Sequence, residues 1–114
     1  NDLIKSNSEI NNLFDVIIED VGLIEDIKYL NIYKKLVYNL NFDNIEYILQ
    51  ISKPLLENDN IWQSHTQYLL GEYYYSKGNK VESKKYFEDI VLNRKGNIEI
   101  IKEAQKRLQR DLSE

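Results

Sequence analysis

The chain has 114 residues, of which 42% are apolar, 11% aromatic and 30% charged, a globular composition of single-domain length. It has no Cys and one His, which excludes disulfides, thiolate chemistry and a two-histidine metal site and leaves little for a histidine-based triad. Its net charge of -4 speaks against a nucleic-acid or anionic-membrane binder, and no charge-free apolar stretch approaches the roughly 20 residues of a membrane span.

Helix start and stop signals alternate along the chain. Capping boxes, in which an N-cap side chain and a Glu or Gln three residues on satisfy two helix-end donors reciprocally, are read at Ser6/Glu9, Asp43/Glu46, Asn60/Gln63 and Asn79/Glu82. Each N-cap is worth roughly 1 kcal/mol. Gly22, Gly78 and Gly96 follow helical patterns, where a left-handed residue often ends the helix, and Asn97 can cap the last one. These signals predict an all-α chain with helices at about 6–20, 23–41, 43–57, 60–77, 79–94 and 97–112. No sustained apolar/polar alternation suggests a strand.

The first helix carries Ile10, Leu13, Phe14, Ile17 and Ile18 at helical spacing, and the second Ile27, Leu30, Tyr33, Val37 and Leu40. Pro54 interrupts the third, where a regular interior site would cost roughly 3 kcal/mol, so a kink or loosened turn near Gln50–Pro54 or a helix end there is expected. The fifth carries Val81, Phe87, Ile90 and Val91. The last carries a narrow stripe of Ile98, Ile101, Ala104, Leu108 and Leu112, as expected of a solvating end cap. Connections of two to four residues are expected and would make neighbours antiparallel.

Residues 64–97 span one 34-residue period. Numbered from Ser64, they place Leu70, Gly71, Tyr74, Gly78, Ser83 and Phe87 at the seventh, eighth, eleventh, fifteenth, twentieth and twenty-fourth positions. This pattern resembles the tetratricopeptide repeat. Gly71 and Ser83 would let two helices approach, and Phe87 would plug the gap. Gln67, Ile90 and Lys95 stand where Trp, Ala and Pro are common. A degenerate repeat precedes it at about 27–57, and the helix at 6–20 has the look of the second helix of a repeat. The resulting organisation is one tetratricopeptide-like domain over 1–114, stacked as a right-handed superhelix: a half-repeat at 1–22, a degenerate repeat at 23–58, the best-formed repeat at 59–96 and a capping helix at 97–114. A free-standing six-helix bundle is the alternative.

One family resemblance goes further. Lys53-Pro54-Leu55-Leu56-Glu57, a polar loop, Ile61-Trp62, the Leu69-Leu70-Gly71 helix, Gly78-Asn79, the Phe87 helix and Glu103-Ala104-Gln105-Lys106-Arg107-Leu108 follow in order. This series resembles the periplasmic tail of the YfgM-like ancillary SecYEG translocon subunits, over about residues 20–112. A related cell-division coordinator is close in pattern. The resemblance implies a scaffold on the periplasmic face of the bacterial inner membrane, an N-terminal anchor upstream of Asn1, and translocon or envelope-chaperone partners. The chain lacks Met, so an excised fragment or a processed product is expected.

In such repeats the first helix of each pair lines a concave groove. The groove residues are then His65, Tyr68, Glu72 and Tyr75 in the best repeat, Lys28, Asn31, Lys35 and Tyr38 in the degenerate one, and Lys102 and Lys106, with Glu99 and Gln109, in the cap. Tyr offers contact area and a hydroxyl at low entropic cost, and the lysines would favour acidic or C-terminal carboxylate segments. Packing is the stronger reading for Tyr68 and Tyr75 together and groove binding the other; Trp62 reads as a core residue or staple, and Glu19, Asp20, Glu25 and Asp26 as a solvated corner. No phosphate-cradling loop, metal-ligand spacing or nucleophile elbow is present. The expectation is a non-catalytic interaction scaffold needing no cofactor or metal, with protein or peptide partners and no nucleic acid. A cytoplasmic adaptor and a self-associating homodimer module are the alternatives.

Overall fold

The computed structural model describes residues 2–42 and 44–113. The described residues are all-helical, with six α-helices and no strand: α1 (Asp2–Ile18), α2 (Glu25–Asn39), α3 (Ile45–Glu57), α4 (Gln63–Ser76), α5 (Lys80–Asn93) and α6 (Ile98–Arg110). A short 3-10 turn, Leu40–Phe42, continues α2. The chain divides into two compact units, residues 1–55 and 56–114.

Helix ends follow local chemistry where the expected caps form. The Asn79 side chain accepts from the Glu82 amide at 3.2 Å, although the Glu82 carboxylate takes Lys85 at 3.0 Å. Asn97 accepts from Glu99 and Ile100 at 2.9 and 3.2 Å. Gly78 has φ +79 and lets the amides of Gly78 and Asn79 close onto the Tyr75 and Tyr74 carbonyls.

Other expected ends differ. Ser6 lies inside α1, because that helix already starts at Asp2, so no box forms with Glu9. Asp43 lies outside the described residues; Asn44 does the capping of α3, accepting from the Tyr47 amide at 3.2 Å. Asn60 turns the chain by accepting from the Trp62 amide at 2.9 Å, and Gln63 reaches back to the Leu56 carbonyl at 2.9 Å, so α4 starts at Gln63 without a side-chain cap. Gly22 and Gly96 have negative φ. At the end of α5 the left-handed residue is Arg94, with φ 51. Gly96 is small for another reason: a Cβ there would collide with Cβ and Oγ of Ser64, whose hydroxyl accepts from the Asn97 amide at 3.2 Å. Pro54 does not end α3, which runs on to Glu57. Connections are longer than expected at residues 19–24 and 58–62.

In the first unit α1 packs on α2. Asn11 pairs with Asn39 and Asp15 with Lys35, so the two helices run antiparallel. The apolar core here is Ile32, Leu36, Ile48, Ile51 and Leu55. In the second unit α5 packs on α4, and α6 packs on both. Ser64 meets Asn97 and Glu72 meets Arg107, so α6 runs parallel to α4. The core is Leu70, Phe87, Ile90, Ile101, Ala104 and Leu112. Phe87 is fully buried against Gly71, and Ser83 Oγ donates to the Gly71 carbonyl at 2.7 Å. Burying a Phe of this kind contributes about 1.5–3 kcal/mol.

Candidate binding surfaces

Three of the four expected groove residues of α4 converge on one side chain, Arg107 of α6. Its Nη1 donates to a Glu72 carboxylate oxygen at 3.3 Å and stands 3.5 Å from the Tyr68 hydroxyl, a long and weak contact. Its Nε donates to Asp111 at 2.8 Å. The guanidinium carbon lies 5.0 Å from the Tyr75 ring centre and 5.1 Å from that of Phe87, within cation–π range. Tyr68 meets Phe87 edge-on at 5.2 Å. Burial alone would lower the Arg107 pKa, but Tyr68, Asp111 and Glu72 outweigh it and the net shift is upward. Asp111 is held below the ordinary carboxylate range chiefly by Arg110 at 3.0 Å, against a smaller desolvation effect, with Arg107 adding to it.

His65 does not join this group. It is half-buried, its ring 5.2 Å from that of Trp62, in a cleft of about 340 Å³ that Asn93, Lys95 and Asn97 also line. Lys102 and Lys106 are exposed on α6, as are Glu99 and Gln109, and Lys106 lies 3.2 Å from Glu103.

The first-unit groove residues separate as well. Lys28 is exposed, and Asn31 donates to the Ile27 carbonyl at 2.8 Å. Lys35 is buried, 2.6 Å from Asp15, with its ammonium 5.2 Å from the Tyr47 ring centre. Burial lowers its pKa, but Asp15 and Tyr47 overcome this and the net shift is upward. Tyr38 stands between Phe14 and Phe42, with ring centres 6.2 and 5.2 Å away.

Comparison with protein-family models, with curated proteins and with solved structures found no match in any of the three.

Among the described residues no three His, Asp or Glu side chains gather as a metal site, and no helix is long and apolar enough to cross a membrane. A row of exposed apolar side chains lies on α1. Leu13 is 65% and Val16 71% exposed, with Ile10 and Ile17 exposed beside them. Val21, Ile24 and Ile27 follow in the next turn and the start of α2, all exposed. The helical pattern of α1 was readable in the sequence. What it hid is that the apolar arc is wider than the face α2 covers: only Phe14 and Ile18 of that stripe are even half-buried.

Proposed function

We propose that this chain is a non-catalytic protein-interaction module built from helical hairpins, with α1 as its docking face. The observation that carries this reading is the exposed row Ile10, Leu13, Val16 and Ile17. Apolar surface gains about 25 cal/mol per Å² on burial, and a row of exposed apolar side chains along one helix is a surface that a partner can cover. The α4 row is the weaker candidate, because Tyr68 and Tyr75 already pack around Phe87 and Arg107.

The tetratricopeptide-type reading of the second unit draws support from Phe87 over Gly71 and from the Ser83 hydroxyl on the Gly71 carbonyl. The setting at the periplasmic face of the inner membrane, with translocon or envelope-chaperone partners, belongs to this proposal through the YfgM-like resemblance alone.

The test is binding of a labelled amphipathic helical peptide with a Leu stripe and uncharged Gln flanks, followed by fluorescence anisotropy. Micromolar affinity, about -8 kcal/mol, is expected. The double change Leu13→Ser, Val16→Ser should weaken it at least about tenfold without altering the helical circular dichroism, because both side chains are exposed. Absence of binding to the unaltered chain overturns the reading.

A further inference from the structure

The occupant of the α1 face can be specified further, on the footing that α1 is a docking face at all. Every charged side chain between residues 6 and 27 is a carboxylate: Glu9, Asp15, Glu19, Asp20, Glu25 and Asp26, with no Lys, Arg or His among them. Asp15 is taken by Lys35 on the buried side of α1. Glu9, Glu19, Asp20, Glu25 and Asp26 are exposed. Glu9 precedes Leu13 by one turn, and Glu19 and Asp20 follow Val16 and Ile17 by about one turn. Lys5 and Lys28 bound this stretch, and within it the exposed row Ile10–Ile17 has carboxylates as its nearest charges at both ends.

That arrangement discriminates among occupants. A second copy pairing α1 with α1 would bring its own carboxylates to these, and like charges across an interface are unfavourable. An anionic lipid surface is repelled for the same reason. A helix carrying Lys or Arg beside an apolar stripe satisfies both features together: its apolar positions at i, i+3, i+4 and i+7 cover Ile10, Leu13, Val16 and Ile17, and its cations meet the fringe. The row spans about two turns, or roughly 10 Å of helix, which suits a short segment and not a large obligate interface. We propose that α1 binds a basic amphipathic helix of a partner protein, with the apolar row supplying contact area and Glu9, Glu19 and Asp20 supplying sign selectivity.

Two labelled helical peptides with the same Leu stripe, one with Lys flanks and one with Glu flanks, test this beside the Gln-flanked probe. The Lys peptide should bind the purified chain at least about tenfold more tightly than the Glu peptide. The advantage should shrink at about 0.5 M salt, where screening is nearly complete beyond a few Å. The triple change Glu9→Gln, Glu19→Gln, Asp20→Asn should remove most of the difference while leaving the Gln-flanked peptide unaffected; Asn at position 20 keeps an oxygen for the Gly22 amide. Equal binding of the Lys and Glu peptides overturns the charge selectivity and leaves the interaction reading standing. Failure of all three peptides overturns both. A stable dimer by sedimentation that is lost on Leu13→Ser, Val16→Ser makes a second copy the occupant and overturns this proposal.

Discussion

Gly71 lies directly beneath the ring of Phe87: a Cβ at position 71 would come within 2.8 Å of Cζ and 2.9 Å of Cε1. The ring cannot withdraw, because it is fully buried among Ile90, Ile101 and Ala104. The same glycine offers its carbonyl to Ser83 Oγ at 2.7 Å. One residue without a side chain thus sets both the approach of α5 to α4 and the depth of the aromatic plug on which α6 rests.

Gly71→Ala should therefore destabilise the chain although Ala is the better helix former. Propensity favours Ala by about 0.8–1.0 kcal/mol, and forcing a methyl into a filled core costs about 1–3 kcal/mol. A net loss of about 1 kcal/mol in urea unfolding is expected. In a Phe87→Leu background the same change should be neutral or stabilising, since the clashing atoms are gone. Additive losses in the double mutant would show that the ring is not what excludes a side chain at position 71.

Asn11 and Asn39 form a buried, reciprocal amide pair between α1 and α2, with bonds of 3.1 and 2.7 Å, and Asn39 also donates to the Lys35 carbonyl. Asn39→Leu should cost about 1–3 kcal/mol, because it leaves the Asn11 amide buried without its partner. The double change Asn11→Leu, Asn39→Leu should recover most of that loss, since two apolar side chains need no partner. Thermal unfolding of the four proteins measures the coupling directly.

What the sequence made legible was local or repetitive. Asn79, Asn97 and Gly78 act within a few residues of themselves, and Gly71, Ser83 and Phe87 belong to a spaced pattern, so each was readable without coordinates. Ser6 misled because a cap signal does not announce that the helix has already begun upstream. Gly96 misled because its smallness answers to Ser64, far away in sequence, and not to its own φ. Asn11 and Asn39 were hidden among many surface asparagines of a chain rich in Asn. Arg107 was hidden among the basic residues of α6, although one signal pointed to it: Arg107 and Asp111 stand four apart on the stripe that Ala104 and Leu108 share. Packing of Tyr68 and Tyr75 was one of the readings the sequence left open, but the separation of His65, Lys35 and Tyr38 was not legible, because a repeat register assigns a helix face and says nothing about whether a neighbouring helix already fills it.

Arg107 predicts an asymmetric substitution pattern. Its fork reaches Asp111 and Glu72 while its plane lies near Tyr75 and Phe87, a geometry that a lysine ammonium cannot reproduce. Arg107→Lys should lose about 1–2 kcal/mol, most of it from the Asp111 bond and the aromatic contacts. Glu72→Gln should lose under about 0.5 kcal/mol, because the Glu72 side chain is 47% exposed and its pairing is screened. Equal losses from the two changes would place the main contribution at Glu72 instead.

The C-terminal end of α6 predicts a pH dependence of definite sign. The Asp111 carboxyl is held below the usual carboxylate range, chiefly by Arg110 and further by Arg107. A group whose folded pKa is depressed adds stability above its unfolded pKa, about 3.9 for Asp, and that addition disappears as pH falls through the lower folded value. Asp111→Asn should therefore melt below the unaltered chain by a constant margin from about pH 7 to pH 5. The margin should close only below about pH 4, as the unaltered chain becomes protonated at that site while the variant does not change. A margin that persisted unchanged to about pH 2 would mean that Asn at position 111 fails through shape or hydrogen bonding, and that the Arg110–Asp111–Arg107 charges contribute nothing to holding α6 in place.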